Sequence, residues 1–102
     1  MAVERDPEQA RLIWPWRSPC QLSLLAGGYR FLPHIRSALA GARARIDIEF
    51  YICVSGSLFE EWFRVLADAV ERGVRVRMVL DAVGSRDLSS RDRRRLEEAG
   101  IE

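Results

Sequence analysis

The chain has 102 residues, a formal net charge of +1 and 30% charged residues. That bounds it to one domain or part of one, with no compositional pull toward a polyanion. All 16 basic residues are Arg, His34 is the only histidine, and Cys20 and Cys53 stand far apart. Schiff-base and P-loop lysines, multi-histidine metal sites and disulfide frameworks are therefore excluded.

In chain order, residues 1–20 mix charged neighbours with prolines and a Trp14-Pro15-Trp16, without sustained periodicity. They read as a lead-in segment, with a short helical turn around Pro7–Leu12 and both tryptophans folded back onto the body. Acids near the start and the lack of a continuous apolar run argue against a signal peptide. Residues 21–102 read as one α/β unit. "QLSLL", residues 21–25, reads as a short strand ended by Gly27-Gly28. Phe31, Leu32, Ile35, Ala38, Leu39 and Ala42 recur at helical spacing, which predicts a helix over 29–43 with Pro33 in its first turn. "RIDIEFYICV", residues 45–54, alternates as a strand does, with Ile46, Ile48, Phe50, Ile52 and Val54 on one face.

Ser57 opens "SLFE", the spacing of a capping box with Glu60 as its acid. The helix that follows buries Leu58, Phe59, Trp62, Phe63, Leu66, Ala69 and Val70, and Gly73 closes it in a left-handed conformation. "VRVRMVL" is the next strand, and Ser89 or Ser90 caps a last helix that ends at Gly100. The order is β-α-β-α-β-α. Strands alternating with such helices imply right-handed crossovers and a parallel, or mostly parallel, sheet with helices on both faces. No stretch approaches the roughly 20 apolar residues that span a bilayer, and the two thiols point to a reducing compartment.

In open parallel sheets, ligand sites form beyond the carboxyl ends of the strands. Tyr51 ends one strand, and Asp81 with Gly84-Ser85 ends another, so these residues share a rim. An acid there accepts backbone N–H groups or orients a neighbour, and glycine permits close approach. Glu49, inside a helix-covered sheet, needs a partner, and Arg75 or Arg77 on the next strand is placed to supply it. His34 sits with Arg30 and Ser37 on the polar side of its helix and reads as a solvated side chain. "RDRRRLEE", residues 91–98, mixes signs, which favours a solvated face with i,i+4 pairs over headgroup or nucleic-acid contact.

Three segments carry a likeness. "LLAGGYRFLPHIRSALAGARARIDIEFYI", "LADAVERGVRVRMVLDAVGS" and "LSSRDRRRLEEAGIE" resemble, in that order, the first part of the phospholipase D superfamily, and its bacterial cardiolipin synthase branch in particular. The matching residues are Ile46, Ile48, Glu49 and Tyr51; Arg72, Gly73, Val74 and Val76; Leu80, Asp81, Gly84 and Ser85. "LEEAGI" is similar to the family's "L-x-x-A-G-V" before a following strand. The likeness covers roughly residues 15–102, and the ordered set is far more specific than any one piece.

The resemblance implies a partial phospholipase D-like half-domain. Family members attack phosphorus with the histidine of a His-x-Lys-x4-Asp motif, and two half-domains form one active site. Cardiolipin synthases move a phosphatidyl group to an alcohol, usually without a metal. Here Arg36 follows His34 where that motif needs Lys, no Asp stands at the right distance, and the chain has no lysine. In the family the motif follows the segment with which this sequence ends. The expectation is therefore an N-terminal portion of a half-domain, inactive alone, with no catalytic residue, no metal and no cofactor of its own. Glu49, Tyr51, Asp81, Gly84 and Ser85 would be its substrate-pocket rim. Its partners would be the remainder of such a domain or a homo-oligomer, with an anionic phospholipid as substrate of the whole enzyme. It would be cytoplasmic, peripheral on the inner membrane at most, with nucleic acid disfavoured. A nuclease of the same superfamily and a small non-enzymatic α/β interaction module are the competing readings.

Overall fold

The computed structural model describes residues 17–102. The lead-in turn around 7–12 and the tryptophans at 14 and 16 lie outside the described residues. The elements are α1 (Gly28–Gly41), β1 (Arg45–Phe50), α2 (Ser57–Glu71), β2 (Arg75–Leu80) and α3 (Ser90–Glu98). β1 and β2 pair in parallel, Ile46 beside Val76 and Phe50 beside Leu80. This is an α/β arrangement, and the α2 crossover between parallel strands is what the alternating pattern calls for.

Both strands bury their even-numbered side chains and expose the odd ones. Ile46 and Val76 are buried in a core with Phe59, Leu66 and Ala69 of α2 and Leu96 of α3. Helix α1 leans on α2, where Leu32 and Leu39 share a crevice with Trp62 and Val65 and Arg36 pairs with Glu61. Two glycines close helices by the same device. Gly73, at φ 88°, follows α2 with Val74 N–H donating to Ala69 O and Gly73 N–H to Val70 O. Gly100, at φ 81°, follows α3 with Ile101 N–H donating to Leu96 O. These are Schellman closures, which need the left-handed backbone that glycine adopts without strain.

Several expectations are corrected. Residues 21–25 form no strand: among the described residues no neighbour pairs with them, and Leu22 and Leu24 are 93% and 92% exposed. The order among the described residues is thus α-β-α-β-α. The helices cover one face of the sheet only; Asp47, Glu49, Arg77 and Val79 on the other face are exposed. β1 ends at Phe50 rather than Val54, because the chain beyond it swings toward the loop after β2. Pro33 stands in the second turn of α1, where it omits one ladder bond.

The far edge of β2 is partly paired. Glu102 donates its N–H to Val76 O at 3.0 Å and accepts from Met78 N–H at 2.7 Å, the pattern of a third parallel strand. The outer edge of β1 has no partner strand among the described residues.

Candidate functional site

The carboxyl ends of β1 and β2 each release a loop, residues 51–56 and 81–89, and the two loops are locked together. Asp81 folds the second. Its Oδ2 accepts from Gly84 N–H at 2.8 Å and Val83 N–H at 3.1 Å, while its carbonyl accepts from Ser85 N–H at 3.0 Å. This is the local side-chain-to-backbone bonding that suits Asp to turns. Gly84 then presses against the first loop: a Cβ built there would lie 2.0 Å from the Tyr51 carbonyl oxygen. Only glycine permits that approach.

Ser85 is fully buried, and its Oγ accepts from Cys53 N–H at 3.1 Å. Ser55 makes the second link. Its hydroxyl donates to Asp92 at 2.6 Å and accepts from Ser89 N–H at 2.9 Å. Ser89 caps α3 by accepting from Asp92 N–H at 3.1 Å. Arg95 donates to Asp92 at 3.0 Å and to both oxygens of Glu60, at 2.5 and 2.9 Å, and lies 4.3 Å above the Phe63 ring. Arg93 donates to Ser85 O at 2.7 Å and to Leu88 O at 3.3 Å.

The electrostatics follow from these contacts. The Ser55 hydroxyl, then Arg95, holds the Asp92 carboxyl below the ordinary range. Arg95 does the same for Glu60, and the bond from Glu60 raises the Arg95 guanidinium in return. Burial pushes the Cys53 thiol up. On the open face Arg77 holds Asp47 below its usual value.

The structure brings Tyr51, Asp81, Gly84 and Ser85 to one rim. Tyr51 and Asp81 are exposed, whereas Ser85 and Gly84 are spent on joining the loops. Glu49 lies one step back on the open sheet face, exposed. Its expected pairing is not made: Arg77 bonds Asp47 at 2.6 Å, Arg75 bonds Glu102 at 3.0 Å, and Val79 stands opposite Glu49. An uncovered face leaves that carboxylate hydrated, so it needs no partner. His34 is exposed on α1.

Two sequence readings change. Ser57 does not cap α2; Gly56 occupies the cap position with no side-chain bond, and Glu60 reaches Arg95 instead. Residues 91–98 are not simply a solvated face, since Asp92 is buried, Arg93 bonds the Ser85 carbonyl of a rim loop, and Arg95 bonds Glu60 of α2. The signal for the missed acid is the Ser89-x-x-Asp92 spacing. As a whole, the rim can position a ligand. Among the described residues it offers no nucleophile beside a base.

The two loops are joined at the carboxyl ends of a parallel α/β unit, and known proteins narrow the class. The chain is 34% identical over 86 residues to cardiolipin synthase B of Salmonella typhi, a stretch covering 84% of this chain and 21% of that relative. It is 31% identical over 86 residues to cardiolipin synthase B of Escherichia coli (strain K12). With a cardiolipin synthase of Geobacillus kaustophilus it shares 35% identity over 82 residues, 80% of this chain and 16% of that protein. The matched stretch therefore spans about a fifth of these relatives or less. No protein-family model matches the chain, and no solved structure matches it. Over this stretch the chain is cardiolipin synthase-like, a relative of phospholipase D superfamily proteins, as its motifs imply.

Proposed function

We propose that this chain is the N-terminal portion of a cardiolipin synthase-like phosphatidyltransferase, supplying scaffold and pocket rim while other residues supply the nucleophile. The observation that carries the reading is the match to cardiolipin synthases over 84% of the chain. The sheet face and the β1 edge that no described residue covers support it, because each is surface that a larger domain would cover. In the whole enzyme Tyr51 and Asp81 face the headgroup region, and Glu49 borders it. Gly84 and Ser85 keep the rim in place. The resemblance implies an imidazole nucleophile beside a lysine, and the exposed His34, with no lysine in the chain, lacks that setting. The substrate would be an anionic phospholipid met at a membrane surface from the cytoplasmic side. No helix among the described residues is long and apolar enough to cross a membrane.

The test is to incubate the purified chain with phosphatidylglycerol vesicles and follow cardiolipin and glycerol. The expected result is no transfer by this chain, and transfer by a longer protein whose reading frame continues past Glu102 into a His-x-Lys-x4-Asp motif. Turnover by the 102-residue chain alone, or a continuation without that motif, overturns the reading.

A further inference from the structure

Helix α1 carries little of what stabilises a helix by itself. It has 14 residues, a length at which an isolated helix is marginal in water. Gly27 caps it without a side-chain bond, no acid stands in its first turn and no base in its last. Arg30, in the first turn, has the wrong sign for the helix dipole, and Pro33 omits a ladder bond. The other helices are better supplied. Glu60 lies in the first turn of α2, and α3 has its Ser89 cap, Asp92 in its first turn and Arg95 in its last.

Helix α1 therefore depends on its seat, and the seat is small. Leu39 is its one buried side chain and Leu32 is half-buried; both lie in the crevice against Trp62 and Val65 of α2. Arg36 and Glu61, 55% and 54% exposed, form a surface pair, a kind that contributes little. Arg72, just past α2, donates to Leu39 O at 3.3 Å and so serves the open carbonyl end of α1. Residues 42–44 link α1 to β1. At the sheet end Ala44 O accepts from Arg75 N–H at 3.1 Å, and at the helix end a side chain on Gly41 would meet nothing within 4 Å. One end of the link is thus anchored and the other has room to turn. The bonds that hold the rest together, Ser85 to Cys53, Ser55 to Asp92 and Arg95 to Glu60, involve no residue of α1.

We infer that α1 is a hinged arm: it opens from α2 as one unit, pivoting about residues 42–44, while β1, α2, β2 and α3 stay folded. The helix and its seat hold each other. Without Leu39 in the crevice, residues 28–41 lose the contacts that keep them helical. Proteins open first where few apolar contacts are buried, and here that place is α1. Opening bares Trp62 and Val65, so this face of α2 is a surface the chain covers and uncovers on its own. The arm does not depend on the phosphatidyl-transfer reading.

The test is native-state hydrogen exchange on the full chain in low urea. The amides of residues 35–41 should exchange as one set. After correction for intrinsic rates they should be at least about 100-fold faster than those of residues 62–69 in α2, with a shallower urea slope. Arg72→Ala should speed the α1 set about fivefold through the lost bond to Leu39. Leu39→Ala should speed it about thirtyfold or more, the factor for truncating a buried leucine. Arg72 is exposed, so its variant tests the arm even where Leu39→Ala does not fold. Three results overturn the inference. One is a single protection and urea slope shared by α1 and α2, because the chain then opens only as a whole. Another is α1 amides without protection, because the arm then has no closed state. The last is an α1 set that neither variant speeds, because the seat then does not hold the helix.

Discussion

The carboxyl rim and the N-terminal flank of the same unit are built to opposite standards. At the rim, Ser85, Ser55, Ser89, Asp92 and Arg95 each bond a group on another element, and the loops touch so closely that a methyl group has no room. On the flank, Leu22 and Leu24 are bare, and of the apolar stripe of α1 only Leu39 is buried. Phe31 and Ile35 remain 40% exposed. The contrast teaches where this chain is self-sufficient. Among the described residues no buried side-chain polar atom lacks a partner; the first helix and lead segment present apolar surface that nothing among the described residues covers. Large uncovered apolar surface marks a place where something binds.

The largest effect should come from Gly84→Ala. Its Cβ would meet the Tyr51 carbonyl at 2.0 Å, and backbone cannot yield as a flexible side chain does. The expected loss is about 3 kcal/mol or more, at the upper end of overpacking costs, read as a fall in the urea midpoint. A loss under about 0.5 kcal/mol, the size of an ordinary surface change, would show that the rim loops separate easily and would erase the contrast.

Ser85→Ala comes next. It leaves the Cys53 N–H without its acceptor in a site where the serine is fully buried. The expected cost is about 1–3 kcal/mol, the penalty of an unsatisfied buried donor. Hydrogen exchange sharpens the comparison: the Cys53 amide should exchange faster in the variant, with the amides of α1 unchanged. Uniform acceleration across the chain would mean that rim and flank unfold as one.

Much of the self-sufficient part was legible in the sequence. Gly73 and Gly100 announced the ends of α2 and α3, Ser89 or Ser90 announced a cap, the alternation in 45–54 gave β1 and its buried face, and "VRVRMVL" gave β2. Local spacing carries those features, so local reading finds them. What failed was whatever a distant partner decides. Residues 21–25 alternate like a strand, but a strand exists only when a neighbour takes its backbone groups. Glu49 seemed to need an arginine because both faces were taken as covered. Gly56 took the cap position of α2 in place of Ser57, and Glu60 went to Arg95, 35 positions away. The rim cluster is a tertiary object, and only its Ser89-x-x-Asp92 corner is written in consecutive residues.

The smallest effect belongs to the flank. Leu22→Ser with Leu24→Ser removes two large side chains that are 93% and 92% exposed, so almost no buried apolar area is lost. The change in unfolding free energy of this chain should stay within about 0.5 kcal/mol. The same double substitution in a longer protein that completes the sheet should cost several times more, since burying a leucine is worth about 1.5–3 kcal/mol. Equal costs in both would place the leucines outside any completed sheet. A large cost in the short chain would mean that residues 21–25 already pack in solution, on the unpaired edge of β1 or on a second copy. The difference between the two measurements, more than either value, reports whether the flank is surface awaiting its cover.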